Sequence, residues 1–170
     1  ALPFIHSQNL HRAVLMAAAE MRSAAQKSIA STAGKSVEIL NITSRENDLF
    51  DFLVETAIAP LRPSARSLGQ GLNTPRKNWV DLQLDCPQTL ENLRKIGFPI
   101  APPVRRICHW SAYLRPGMFP RYNQFLRTPD SLSLAALQTL SPPSAARRWS
   151  RIWALPRPNL LGKRPNIQSK

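Results

Sequence analysis

Hydrophobic positions in the first quarter of the chain change their spacing, and each spacing predicts a different element. Between residues 9 and 33, apolar residues recur every three or four positions, which is the period of an amphipathic helix, and Gly34 follows as a stop. The positions that define this predicted helix are Leu10, Val14, Ala17, Ala18, Met21, Ala25 and Ile29. The next segment, VEILNI over residues 37–42, has the composition and length of a strand.

A second helix is predicted directly after this strand. The sequence TSRE has the form of a capping box, with Thr43 as the N-cap and Glu46 three residues later. An apolar stripe follows, made of Leu49, Phe52, Leu53 and Ala57, and Pro60 and Pro63 end the helix. We therefore expect its carboxylates to be solvated or to serve as first-turn charges; these are Glu46, Asp48, Asp51 and Glu55.

The following residues predict one more strand and one more helix. Residues 62–77 have the composition of a loop or a loose hairpin, and residues 79–85, WVDLQLD, alternate as a half-buried strand does. A short helix then begins near Pro87, with Gly97 just past its end. The order helix–strand–helix–strand–helix predicts a small globular α/β or α+β domain over residues 1–98.

The chain changes character after Gly97. Eleven of the 16 prolines lie from Pro99 onward. Because proline interrupts helices, we predict an extended arm over residues 99–128. The remaining residues, 129–170, are predicted to form two short helices, 129–140 and 142–155, and an irregular basic tail.

Charge divides the chain in the same way. Residues 1–91 contain nine basic and nine acidic residues, which cancel. Residues 92–170 contain fourteen basic residues and one acid, Asp130, so they carry the whole net charge of +13. Arginine supplies 17 of the 23 basic residues, and its guanidinium binds phosphate oxygens in a bidentate manner. This distribution favours a polyanionic partner, which is nucleic acid or an anionic membrane surface.

The predicted arm interleaves cations with aromatic rings. Such a segment can place arginines on phosphates and stack rings on exposed bases. The residues in this pattern are Arg105, Arg106, Trp110, Tyr113, Arg115, Phe119, Arg121, Tyr122, Phe125 and Arg127. The alternative is an arm that wraps another protein and uses its aromatic rings as anchors.

The predicted helix 142–155 has two unlike faces. At about 100° per residue, Trp149, Ile152 and Trp153 fall on one side, which we interpret as an anchor on protein. The opposite side and the tail supply the predicted RNA contacts Arg147, Arg148, Arg151, Arg157, Lys163 and Arg164. A helix in a membrane interface, with tryptophan at the level of the headgroups, is the alternative.

Motifs for catalysis or metal binding are weak. AGKS at residues 33–36 lacks the first glycine of a phosphate-binding loop, because that position is Ile29. Cys108 and His109 are adjacent and project in different directions, and with Cys86 they lack a fourth metal ligand. We therefore predict no enzyme activity, no cofactor, no metal and no small-molecule substrate.

A neutral domain followed by Arg-rich, Pro-rich and Gly-poor extensions resembles the ribosomal proteins of mitochondria. The resemblance covers residues 99–170 and includes the segments RRICHW, YLRPGMFPRYNQFLR and RRWSRIW. It implies a structural subunit in the mitochondrial matrix that binds ribosomal RNA and neighbouring subunits. The alternative is an accessory subunit of a mitochondrial inner-membrane respiratory complex or ATP synthase, with the tail helix on anionic lipid.

Overall fold

Three parallel strands form the centre of the fold. They are β1 (Arg12–Met16), β2 (Glu38–Thr43) and β3 (Trp79–Gln83), and they lie side by side in chain order. Their register places Val14 beside Leu40, and Leu40 beside Val80. The computed structural model describes residues 10–16, 18–31, 36–44, 48–59, 65–101 and 115–140.

Helices occupy both faces of this sheet. Those in the described residues are α1 (Arg22–Ala30), α2 (Asp48–Ile58), α3 (Pro87–Lys95), α4 (Met118–Arg127) and α5 (Leu134–Leu140). α1 lies between β1 and β2 in the chain, and α2 lies between β2 and β3. Parallel neighbours need such crossover connections, because one strand ends at the edge opposite to where the next begins. The predicted mixed α/β class is confirmed.

β2 is the central strand and is buried on both faces. Every residue from Ile39 to Thr43 is buried. Side chains alternate along a strand, so Ile39 and Asn41 point to one face while Leu40 and Ile42 point to the other. Parallel strands covered on both sides are usually apolar throughout, and Asn41 is the exception in this one.

The single long helix predicted over residues 9–33 is wrong in its first half. The structure has strand β1 at Arg12–Met16, and the helix begins only at Arg22. Leu10 and Val14 fit a helical period, but the run from Ala13 to Met16 fits a buried strand equally well. Pairing with β2 decides between the two, since strand preference depends on the neighbouring strand more than on local sequence.

One face of the sheet packs against α1 and the loop that precedes β3. The buried side chains of this cluster are Ala25, Ile29, Val37, Ile39, Leu68, Leu72 and Trp79. The loop backbone is bonded to the residues that lead into α1. Leu68 N–H donates to the carbonyl of Glu20 at 2.6 Å, and Arg22 N–H donates to the carbonyl of Arg66 at 2.8 Å.

The other face packs against α3, α4 and α5. Its cluster of buried side chains is Leu40, Ile42, Val80, Leu82, Leu84, Leu93, Met118, Tyr122, Phe125, Leu132, Leu134 and Leu137. Residues 118–127 were predicted to belong to an extended arm and are instead helix α4. Pro120 is tolerated because it lies in the first turn, where backbone N–H groups have no helical acceptor. The apolar core therefore continues past residue 98 to Leu137.

Arg12 ties the first strand to the helices on this face. Its guanidinium donates to the carbonyls of Phe125 at 2.7 Å and Leu132 at 3.2 Å. It also lies over the ring of Phe125, 4.6 Å from the centroid, and pairs with Glu38 at 2.7 Å. The guanidinium of Arg12 is therefore held by contacts within the fold and is not accessible to solvent.

Candidate nucleic-acid interface

Two of the predicted RNA contacts lie inside the fold. Arg115 is only 5% exposed, and its guanidinium donates to the carbonyls of Leu84 at 2.7 Å and Ala101 at 3.2 Å. These bonds join the residue that follows β3 to the segment after α3. Arg115 is therefore a structural residue in this fold, and its predicted contact with RNA is not supported.

Tyr122 is the second of these residues. It is buried in the core on α4, and its ring meets the exposed Phe119 edge-on, with centroids 6.0 Å apart. Burial raises the pKa of the Tyr122 phenol well above its ordinary value, and the charge of Arg115 opposes this only in part. A buried ring cannot stack on a base, so Tyr122 does not fit the predicted interface. Phe125, also part of the predicted pattern, is fully buried.

Two other arginines of α4 remain accessible. Arg121 is half-buried, with its guanidinium 4.5 Å from the ring centroid of Phe98 and a hydrogen bond to Gln124 Oε1 at 3.1 Å. Arg127 is exposed in the last turn of α4. Of these two arginines, Arg127 can reach a phosphate from its place in the structure, whereas Arg121 would first have to leave the ring of Phe98.

The remaining predicted contacts lie outside the described residues. They are Arg105, Arg106, Trp110, Arg147, Arg148, Arg151, Arg157, Lys163 and Arg164, together with the predicted protein anchors Trp149, Ile152 and Trp153. Cys108 and His109, which were considered and rejected as metal ligands, also lie there, while Cys86 is a half-buried free thiol.

The residues that the structure describes carry little net charge. The described residues contain eleven basic and nine acidic side chains, a net charge of +2. The rest of the chain contains twelve basic residues and one acid, a net charge of +11 out of the total +13. The described part of the chain is thus nearly neutral. The accessible cations on it are few and scattered: the exposed ones are Lys27, Lys77, Arg94, Lys95 and Arg127.

One of these cations is partly neutralised by a neighbour. Arg94 makes two hydrogen bonds of 2.8 Å to the carboxylate of Glu91, one turn earlier on α3. This bonding lowers the pKa of Glu91 and raises that of Arg94. Both side chains are exposed, so the pair adds little to stability.

A polar network that the sequence pattern did not predict lies between α2, the loop 67–73 and the sheet. Asp81 on β3 accepts hydrogen bonds from Asn41 Nδ2 at 2.9 Å and Trp79 Nε1 at 2.7 Å. Its second oxygen accepts from the backbone N–H of Leu72 at 2.8 Å. Gly71, with φ +88°, brings the loop so close that a Cβ would stand 2.9 Å from this oxygen.

α2 continues this network with two buried carboxylates. Asp51 accepts from Ser67 Oγ at 2.8 Å. Glu55 accepts from Gln70 Nε2 at 2.7 Å and from the backbone N–H of Ser67. A Cβ on Gly69 would stand 2.2 Å from Asp51 Oδ1, so glycine is required for this approach. The expectation that Asp51 and Glu55 form a solvated face is wrong, since both are buried.

The chemistry of this network is structural. Its carboxylates accept backbone and side-chain donors that hold the loop 67–73 against the sheet. Sequence could have indicated it only through the polar residues of LGQGLN and of the strand positions Asn41 and Asp81. Within the part of the chain that the structure describes, no group of three His, Cys, Asp or Glu residues could hold a metal ion.

Comparisons of the chain with protein-family models, with curated proteins and with solved structures found no match. Among the described residues, no helix combines the length and the apolar character needed to cross a bilayer.

Proposed function

We propose that this chain is a structural RNA-binding subunit of a mitochondrial ribosome. The observation that carries the proposal is the contrast in charge between two segments of the sequence, with residues 1–91 neutral overall and residues 92–170 carrying the whole net charge of +13. A stable fold does not require such segments, and a phosphate backbone is the partner that attracts them best.

The composition of the charged segments favours RNA over a surface that is merely anionic. Between residues 141 and 170 the chain has five arginines, two lysines and no acid. Arginine binds phosphate oxygens in a bidentate manner and stacks on bases, and lysine does both less well. In this proposal the body positions the chain among its neighbours, and the residues after Leu140 supply most of the affinity for RNA.

Reversal of the charges of three tail arginines tests whether the tail supplies most of the affinity for RNA. The variant replaces Arg147, Arg148 and Arg151 with Glu in the full chain. If each arginine contacts a phosphate, the slope of log affinity against log salt concentration should shrink by about 2–3, at roughly 0.7–0.9 per contact. Binding to ribosomal RNA is measured by titration at several salt concentrations.

A matched control applies the same change of charge to the body. Lys27, Lys77 and Lys95 are all exposed, and their replacement with Glu changes the net charge by the same six units. The proposal expects this control to keep nearly the full salt slope. An equal loss in both variants would mean that total charge, and not the tail, governs binding.

The membrane alternative is distinguished with anionic liposomes. Replacement of Trp149 and Trp153 with Ala should leave the salt slope for RNA nearly unchanged. Strong liposome binding that disappears in this variant, together with weak binding to RNA, would favour an accessory subunit of an inner-membrane complex. Co-sedimentation with ribosomal particles that is lost after nuclease treatment would favour the ribosome.

A further inference from the structure

An exposed threonine followed by proline lies in the loop that leads into β3. Thr74 and Pro75 are both exposed, and two basic residues, Arg76 and Lys77, come directly after them. In the other two Ser/Thr–Pro pairs of the sequence, the third residue after the hydroxyl is a serine and not a cation. These pairs are Thr128–Pro129 and Ser141–Pro142.

The proline determines which class of protein kinase can accept this threonine. A kinase holds the residue after its target in a pocket, and every residue except proline brings a backbone N–H into that pocket. Where the pocket has no acceptor, an unpaired N–H costs about 1–3 kcal/mol, and proline avoids this cost. Lys77 adds a cation for an acidic groove on the enzyme, since charge patterns help kinases to select substrates. The segment TPRK therefore fits a proline-directed kinase.

The hydroxyl of Thr74 is held more weakly than that of Thr128. Thr74 Oγ1 accepts from Gln26 Nε2 at 3.2 Å, and its contact as a donor, to a backbone carbonyl, is 3.5 Å long. Thr128 Oγ1 donates to the carbonyl of Gln124 at 2.7 Å and accepts from Ser131 Oγ at 2.8 Å. A hydroxyl that attacks phosphorus must give up its present partners, so Thr74 loses less than Thr128 does.

Hydrogen bonds on either side of Thr74 hold the turn that contains it. The backbone N–H of Leu72 donates to Asp81 Oδ2 at 2.8 Å. Gln138 Nε2 donates to the carbonyls of Arg76 at 2.9 Å and Lys77 at 3.3 Å. Thr74 itself precedes a proline, which restricts it to extended conformations. The acceptor hydroxyl and the two cations thus belong to one surface turn.

We propose that Thr74 is the acceptor site of a proline-directed protein kinase. Thr74 Oγ1 attacks the γ-phosphorus of ATP, and a new P–O bond forms as the bond to the bridging oxygen of ADP breaks. The hydroxyl proton passes to a base of the kinase. The product places a charge of about −2 beside Arg76 and Lys77, which are of opposite sign. This inference does not rest on the proposed function.

The test incubates the full chain with a purified cyclin-dependent kinase and MgATP, and mass spectrometry locates the phosphate. We expect one phosphate, on Thr74. Thr74→Ala should abolish the reaction, Thr74→Ser should retain it, and Thr128→Ala should not change it. An unmodified chain, or phosphate on Thr128 or Ser141 in place of Thr74, would overturn the proposal.

The rate of phosphorylation supplies the second measurement. Lys77→Ala should lower kcat/KM at least tenfold, because it removes the cation that the enzyme selects. The matched control is Lys27→Ala, which removes an exposed lysine of α1 next to Gln26 and should leave the rate unchanged. Equal rates for Lys77→Ala and the parent would contradict the proposal. So would phosphorylation of a peptide of residues 70–80 but not of the full chain, since the fold would then hide the hydroxyl.

These measurements are independent of those that test the proposed function. If the chain fails to bind RNA but Thr74 is phosphorylated, the ribosomal proposal fails and the acceptor site stands. If RNA binding is normal and Thr74 stays unmodified, the reverse holds.

Discussion

Helices α4 and α2 turn opposite kinds of side chain toward the interior of the fold. α4 buries Met118, Tyr122 and Phe125 against the sheet and leaves Arg127 in solvent. α2 buries Asp51 and leaves Leu53 half in solvent. The difference lies in what each helix meets. α4 faces apolar strand residues, whereas α2 faces a loop with donors to satisfy, so the neighbour determines which face turns inward.

The largest effect that would test the α4 half of this comparison comes from Phe125→Ala. Phe125 is fully buried, and the guanidinium of Arg12 lies over its ring. Loss of the ring should leave a cavity and lower the free energy of unfolding by about 3–5 kcal/mol. The control is Phe119→Ala, because Phe119 is on the same helix and 56% exposed. Urea denaturation of both variants measures the two losses in free energy of unfolding. Losses of similar size would contradict the comparison.

Asp81→Ala should have the next largest effect, on the polar side of the sheet. It removes the acceptor of Asn41, of the Trp79 indole and of the Leu72 backbone N–H. Unpaired buried donors destabilise a fold, and we expect a loss of about 2–4 kcal/mol in the free energy of unfolding. Asp81→Asn keeps one oxygen acceptor and should lose less. Equal stability of Asp81→Ala and the parent in urea would show that the network does not hold the loop.

Glu55→Ala tests the inward side of α2 directly. The substitution leaves the Ser67 backbone N–H and Gln70 Nε2 without their carboxylate acceptor. We expect a loss of about 2 kcal/mol in thermal or urea unfolding, since a solvated glutamate would give almost none. Glu55→Gln retains an oxygen acceptor and should recover part of the loss. Nearly unchanged stability of Glu55→Ala would favour the original expectation of a solvated acid.

Several elements of the fold could be predicted from sequence because their signals are local. α3 begins at Pro87, and Gly97 follows its end with φ +83°, as the proline and glycine positions indicated. β2 and β3 agree with their predicted ranges within two residues. β1 could not be separated from a helix, because its short apolar run fits both periods until β2 is present.

The candidate interface was predictable in its charge but not in its geometry. The excess of basic residues after residue 91 is visible in the sequence, and the residues that the structure describes carry a net charge of only +2. Arg115 and Tyr122 have the same composition signal as their neighbours, yet both are buried. Only the packing of α4 on the sheet, a non-local event, distinguishes them from Arg127.

The substitution Tyr122→Phe tests the burial of α4 through the pH dependence of the free energy of unfolding. Burial raises the phenol pKa in the folded state, so the unfolded state loses the proton first as pH rises. Stability from this residue is full below about pH 10, the ordinary value, and declines above it by at most about 1.4 kcal/mol per pH unit. Chemical denaturation at pH 8 and pH 10.5 should show a steeper decline for the parent than for Tyr122→Phe. Parallel declines would place the phenol in solvent.

The smallest effect belongs to Leu53→Ala on the outward side of α2. Because Leu53 is 52% exposed in the free chain, its truncation should change the free energy of unfolding by less than about 0.5 kcal/mol. Urea denaturation of the variant and the parent measures this change. A loss of 2 kcal/mol or more in the free chain would mean that Leu53 already packs within the fold. The contrast drawn between α2 and α4 would then fail, because α2 would also bury a large apolar side chain against the fold.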